Sequence, residues 1–302
     1  SSGVGGISKV VMRGTKSIMQ SSNALYVVDG MPMRGANSGG STEFGSQGST
    51  EPIADLNPED IESMSVLTGA AAAALYGSEA ANGAIVITTK KGQAGKTKVT
   101  YNSSLTWDRA LITHRIQSRY GTGTGGAYVP TSNMSWGAPL TALNNYGYDY
   151  ANDYLQTGFL STQAVTFSTG TDKNQTYASV AAVNSKGVVP NNRYDRYNFN
   201  VRNTTSFLND KMTLDVNATY IKQTDRNMVN QGTYGNPMVG ALLFPRGNSW
   251  NDIKSYERYD AERKLDTQYW PVGDYGMTVQ NPYWINYRNL NENNKDLSLI
   301  HI

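Results

Sequence analysis

Glu59, Asp60 and Glu62 stand together in NPEDIES, and a carboxylate cluster is a natural place to look for general acid or base chemistry. The same residues have a structural reading: Asn57 suits an N-cap, Pro58 a first helical position, and acidic side chains the positive end of a helical turn. Two glycine-bearing stretches, YGTGTGG (Tyr120 to Gly126) and GSEAANG (Gly77 to Gly83), resemble phosphate loops. Neither ends in Gly-Lys-Ser/Thr, and neither sits in a strand-to-helix turn followed about 20 positions later by an acidic residue. Both read as structural glycine. His114 and His301 are the only histidines, neither has a partner at i+3 or i+4, and the chain has no cysteine. That argues against a zinc site or a histidine triad and removes disulfides and thiolate chemistry. Lys90 and Lys91 read as the water-facing end of a strand. No catalytic constellation emerges, no metal set and no cofactor site, and the chain reads as a non-enzyme.

What must these residues be mounted on? With 26 basic and 24 acidic residues the net charge is +2, which disfavours a polyanion and excludes nucleic acid as the expected partner. No apolar run approaches the roughly 18 to 20 residues of a spanning helix, and SSGVGGISKV does not read as a signal peptide. A mean hydropathy of −0.49 still leaves the membrane open, because β-barrels cross on strands of about 10 alternating residues.

Up to about residue 95 short apolar strands alternate with glycine turns: SKVVMRG, ALYVVDG with its Asp-Gly turn, SMSVL and AIVITTKKG, with Ala70 to Ala74 as a short helix ended by Gly77. This is a small α/β unit, with GSTEFGSQGST as a mobile loop. From about residue 96 the period becomes 2. In KVTYNSSLTW, Val99, Tyr101, Leu105 and Trp107 oppose Thr100, Asn102, Ser104 and Thr106; YNFNVRNTTSF and MTLDVNATY divide in the same way. Shorter strands fit QAVTFSTG and QTYASVAAV. The tight turns TDKN and LNDK fall on one rim, and long loops (about 108 to 162 and about 223 to 292) on the other, with aromatics near strand ends. That one-sidedness is the outer-membrane barrel pattern. A soluble β-sandwich accounts for the alternation alone.

NALYVVDGMPM, followed by DLNPEDIESMSVLTGAAAAALYGSEAANGAIVITTKKG, resembles the plug domain of TonB-dependent outer-membrane transporters, more narrowly the SusC/RagA type. The resemblance continues through NDYLQTGFLSTQAVTFSTGTDKNQTYASVAAVNSKGVV, FPRGNSWNDIKSYERYD and QNPYWINYRN, so it covers nearly the whole chain. It implies an α+β plug domain at residues 1–95 with its front missing, followed at 96–302 by the first antiparallel transmembrane strands of a β-barrel of about 22 strands. The chain is then a fragment of a larger transporter. LSLIHI fits either a sixth strand or an unrelated tail.

The implied function is energised import of an oligosaccharide or peptide across the outer membrane, gated by the plug. The implied partners are a SusD-type lipoprotein lid, a TonB energy complex whose contact segment lies outside this chain, and membrane lipid. The alternative is a non-transport surface module, such as an adhesin or glycan-binding protein. Gly77, Ala80, Ala81, Gly83 and Ala84 are expected to let the plug backbone pack closely inside the lumen. Glu79, Ser65 and Gly69 depart from residues the family often has, so plug-to-wall ion pairs at those positions are in doubt. Trp136, Trp250, Tyr269, Trp270, Tyr283 and Trp284 either line an extracellular vestibule, where their rings would stack on sugars or grip peptides or meet the lid, or pack the loops internally.

Overall fold

Asp29 and Gly30 adopt φ of 46° and 84°, the left-handed pair that a two-residue hairpin needs, and so fold β1 (Leu25–Val28) back onto β2 (Met31–Met33). The computed structural model describes residues 4, 6, 10–12, 23–33, 52–111, 116–230 and 232–302. After 3-10 turns at Pro52–Asp55 and Pro58–Asp60 come β3 (Ile61–Leu67), α1 (Gly69–Tyr76) and β4 (Ala84–Thr89). The strands form one mixed sheet in the order β2-β1-β4-β3, with β1 parallel to β4. Asn57 caps the second turn, its side chain accepting from the Glu59 N–H at 3.2 Å, and Pro58 occupies the first position as expected. Leu25, Val27, Ala72, Ala80 and Ala84 make the core of this unit.

Of the expected strand SKVVMRG, Val11 forms an isolated bridge with Asn23; its ends, like the loop GSTEFGSQGST and His114, lie outside the described residues.

The chain then enters β5 (Gly95–Asp108). A small hairpin, β6 (Gly123–Thr124) with β7 (Ala127–Tyr128), and α2 (Tyr150–Asp153) lie in the first long loop. Next come β8 (Gly158–Gly170), β9 (Asn174–Lys186), β10 (Arg193–Phe207) and β11 (Met212–Arg226). The second long loop carries α3 (Pro237–Leu243), α4 (Trp250–Lys254), β12 (Glu257–Asp260), β13 (Leu265–Gln268) and α5 (Pro282–Tyr287), and the chain finishes in β14 (Glu292–His301). The large sheet is antiparallel throughout, ordered β14-β11-β10-β9-β8-β5, and it is open: β5 and β14 are its two edges. LSLIHI belongs to β14, which pairs with β11 from Arg226↔Glu292 to Asn217↔His301. Both tight turns lie on the rim where β4 feeds into β5, and both long loops lie on the other. Among the described residues no helix is long and apolar enough to cross a membrane, which says nothing about strands.

Candidate functional site

Side-chain parity in the large sheet runs opposite to that of a soluble protein. Along β10, Asn198 and Asn200 are 4% exposed, while their apolar neighbours Tyr197 and Phe199 are 49% and 48% exposed. Strand alternation sends the two sets to opposite faces. The polar set is buried because the N-terminal unit sits against it.

Charged residues set into that polar face meet the unit. The Arg202 guanidinium grips Asp215 on the neighbouring strand in bidentate fashion, at 2.9 and 2.7 Å. Its remaining nitrogen donates to Thr89 Oγ1 at 2.8 Å and lies 3.5 Å from Asp29, at the hairpin tip of β1. Asp29 is held by the Thr89 backbone N–H at 2.9 Å. Lys91 completes the cluster from the end of β4, 2.9 Å from Asp215. Arg202 is buried, so its charge depends on these partners.

A second group forms around the 3-10 turns. The Tyr177 hydroxyl donates to Asp60 at 2.9 Å, Asn102 donates to Glu59 at 2.7 Å, and Asn198 donates to the Asp55 carbonyl at 2.6 Å. Lys295, on β14, pairs with the Asp55 carboxylate. Burial pushes the Asp60 carboxyl above the ordinary carboxylate value, against the opposing pull of hydrogen bonds, Tyr177's among them, and of Lys90.

Two sequence expectations change here. Lys91 is not simply a water-facing strand end, since it pairs with Asp215, and the Lys90 ammonium donates to the Glu59 carbonyl at 2.7 Å. The carboxylates Glu59 and Asp60, read as turn residues, also accept hydrogen bonds from the large sheet. Sequence reasoning missed Asp29, Asp55 and Thr89 on the unit and Tyr177, Arg202, Asp215 and Lys295 on the sheet. The available signal was a full charge, Arg202 or Asp215, standing among Asn and Thr on one face of an alternating strand.

The expected close-packing residues fall into two groups. Ala80 and Ala84 are buried, and Gly83 is tightly enclosed: at φ +106°, a Cβ there would meet Met12 Sδ at 2.5 Å and the Leu67 carbonyl at 3.0 Å. Gly77 and Ala81 are exposed. Gly77 has open space around a missing Cβ, and its φ of +76° is what ends α1, so backbone conformation explains it rather than crowding.

The aromatics expected at a vestibule also divide. Trp250 and Trp270 are buried at 4% and 3% exposure, in a core shared by both long loops. Trp250 stacks on Tyr148 at 4.4 Å, meets Phe244 edge-on at 5.2 Å, and donates from its indole N–H to the Tyr283 hydroxyl at 3.0 Å. Of the two places expected for these tryptophans, the structure shows both packed inside the loops. Burial also raises the Tyr148 and Tyr154 phenols far above their ordinary range. Tyr283 and Trp284 are half-buried, Tyr269 lies under the Arg258 guanidinium at 3.4 Å, and Trp136 is exposed.

A small mixed unit docked through charges onto the buried polar face of an antiparallel wall, whose outer face is apolar, defines a plug-and-wall protein. The family model "TonB-dependent Receptor Plug Domain" matches residues 1–84. The TonB-dependent receptor SusC of Bacteroides thetaiotaomicron is 31% identical over 225 residues, 74% of this chain and 21% of that protein. The TonB-dependent receptor P3 of Formosa agariphila is 27% identical over 289 residues, 95% of this chain and 25% of that protein. A chain of the RagAB peptide importer in its closed-closed state shares the fold, with a TM-score of 0.54 at 23% identity, covering 72% of this chain and 26% of that one. The chain belongs to the TonB-dependent receptors, with a plug domain and the strands of a partial barrel wall, and it is SusC-like in sequence. It spans about a fifth to a quarter of the length of these relatives.

Proposed function

We propose that this chain is the plug (residues 1–95) and first wall strands (96–302) of an outer-membrane transporter. It imports a large nutrient, an oligosaccharide or peptide, when a TonB-type complex pulls the plug from the periplasmic side and a SusD-type lipoprotein covers the long loops. The observation that carries the reading is the reversed parity of the large sheet, with its polar face occupied by the plug. The outward rows fit a lipid belt. From Tyr197 to Phe207 is ten steps, about 34 Å of strand, or roughly 25 Å when tilted as barrel strands are, and its outward row carries Tyr197, Phe199, Val201 and Phe207 with Asn203 and Thr205 between the last two. The relatives and the docked plug favour this over a surface binding module.

Membrane fractionation of the whole receptor tests the location, and recovery as a soluble secreted protein would remove the reading. Gating is tested separately. Glu59 and Asn102 touch across the seam, and the chain has no cysteine, so the pair Glu59→Cys and Asn102→Cys can be joined by a short thiol cross-linker. Cross-linked receptor should lose uptake and regain it when a cleavable linker is cut. Uptake that ignores the cross-link would exclude plug movement at this seam.

A further inference from the structure

The outward face of the wall changes character toward the long-loop rim. In the last outward row before that rim, Phe159 on β8 stands in register with Lys186 on β9, Lys186 with Arg193 on β10, and Arg193 with Arg226 on β11. Three cations therefore lie directly opposite one another on adjacent strands, an arrangement that is unfavourable without anions. Two carboxylates answer them among the described residues. Asp195 accepts from Arg193 Nε at 2.5 Å and from the Asn184 amide at 2.6 Å, and Glu292 accepts from Arg226 at 2.8 and 2.7 Å. The Lys186 ammonium has no ion pair or hydrogen bond among the described residues. Arg193 is held through Nε alone, so its two terminal nitrogens have no partner among them either.

A cavity of about 380 Å³ touches Phe159, Asn184, Lys186, Arg193, Asp195 and Arg226. Strand alternation sends all six side chains to the outward face, since the residues between them, Ser185, Tyr194 and Asp225, are buried on the inner one. The strands β8 to β11 are each paired on both sides, so further wall strands can join only at β5 and β14 and leave this face uncovered. Arg193 stands four residues beyond Tyr197, about 14 Å along the strand or roughly 10 Å when tilted, which is headgroup level for a belt ending at Tyr197. Toward the belt, β9 turns small side chains outward. Ala182 lies between Gln163 and Tyr197, and Ala178 between Phe167 and Val201, so a groove runs along β9 from the cations down the apolar face.

We propose that this face binds one phosphorylated lipid of the outer leaflet, its phosphate between Lys186 and Arg193 and an acyl chain along the β9 groove. A phosphate accepts from several donors at once, and the terminal nitrogens of a guanidinium present it with a planar fork. It also supplies the anion that the opposed cations lack. Cations at headgroup level above an apolar groove match the two halves of a lipid, whereas a soluble anion would use only the first. The site rests on the outer-membrane reading for its orientation and gives the lipid partner of that reading a place on the wall.

The test titrates the whole receptor in detergent with monophosphorylated lipid A and with its dephosphorylated form, and reads the bound lipid by native mass spectrometry. The phosphorylated form should bind at least about 10-fold more tightly, the value of one charge-assisted contact. The double variant Lys186→Gln and Arg193→Gln should erase that preference. Lys211→Gln, in the tight turn between β10 and β11 on the opposite rim, makes a similar change of charge and should keep it. Ala182→Phe, filling the groove, should weaken both forms alike. Equal binding of the two forms, a preference that survives in the double variant or is lost equally in Lys211→Gln, or inorganic phosphate binding as tightly as the lipid would overturn the proposal. Unchanged binding in Ala182→Phe would overturn the placing of the acyl chain. A receptor recovered as a soluble protein removes the outer-membrane reading, whereas a membrane-inserted receptor that does not distinguish the two lipids removes only this site.

Discussion

Replacing Asp215 by asparagine should loosen the plug more than removing Arg202 does. Docking takes the Arg202 guanidinium out of water, and Asp215 is its bidentate counter-ion in that state. With asparagine there, the buried cation keeps only Asp29 at 3.5 Å and Thr89 at 2.8 Å, and Lys91 faces it without the shared carboxylate. Breaking one side of a buried pair costs about 3–5 kcal/mol, and the surviving contacts put this case at the lower end, about 3 kcal/mol. The half-exposed Lys91–Asp215 pair adds less than about 1 kcal/mol. Arg202→Met removes the charge that needs a partner and leaves Asp215 with Lys91, so it should cost about 1 kcal/mol or less. A loss of 3 kcal/mol is roughly 150-fold in the docking equilibrium. Protease accessibility of the plug in whole receptor, followed against urea, should show a midpoint lowered by about 2–3 M for D215N, taking a slope near 1 kcal/mol/M. R202M should shift it little, and the double variant should resemble R202M. A larger shift for R202M, or simple additivity in the double variant, would refute the assignment of Asp215 as the counter-ion of a docked cation.

Val201→Arg, on the outward apolar face, should impair barrel assembly by about 2–4 kcal/mol, whereas Thr219→Arg on the inner face should cost under about 1 kcal/mol. Equal loss of folded receptor in membranes for the two would refute the face assignment. Trp250→Ala should empty the shared loop core, destabilising the loops by about 3–5 kcal/mol, while Trp136→Ala should leave loop proteolysis unchanged; a protease-resistant W250A loop would count against the burial argument. Asp60, its carboxyl raised by burial, disfavours the docked state when charged. Its contribution is therefore full below the ordinary carboxylate pKa and is lost as pH rises through the raised value. Asp60→Asn should remove that pH dependence and, at neutral pH, raise the urea midpoint for plug release; a lowered midpoint would show that the charge holds the plug. The 302-residue chain alone, with β5 and β14 as open edges and an apolar outer face, should aggregate without detergent, and a monodisperse cooperative monomer would contradict the wall assignment.

The strands were legible because a period of 2 survives in the residues themselves: Tyr197, Phe199 and Val201 against Asn198, Asn200 and Arg202 divide the two faces without any tertiary knowledge. The direction of burial was less so, since alternation is the same whether the polar face meets water, a plug or a partner sheet. The resemblance in the plug segment supplied it. β14 was undecidable from LSLIHI because six residues carry no partner; pairing with β11 supplies it. The fate of the aromatics was hidden for a physical reason. The residues beside Trp250 and Trp136 do not separate them, and only the fold of two distant loops places one at 4% and the other at 60% exposure.

The seam between plug and wall is held by charged and polar contacts. The apolar clusters lie inside the plug and inside the loop domain, and no such cluster among the described residues spans the seam. Apolar side chains on the inner face of the wall, Ala164, Tyr177, Ala181 and Ile221 among them, are nonetheless buried, so apolar contact adds to the charged contacts there. The seam's polar contacts exchange against water at about 0.5–1.5 kcal/mol each. Asp55 Oδ1, Arg196 Nε, Asn198 Oδ1 and Asn200 Oδ1 along it are buried without a protein hydrogen-bond partner. Each such group costs about 1–3 kcal/mol while desolvated and recovers that on hydration, so it offsets one or more of the ion pairs beside it. The charged contacts fix where the plug sits on the wall.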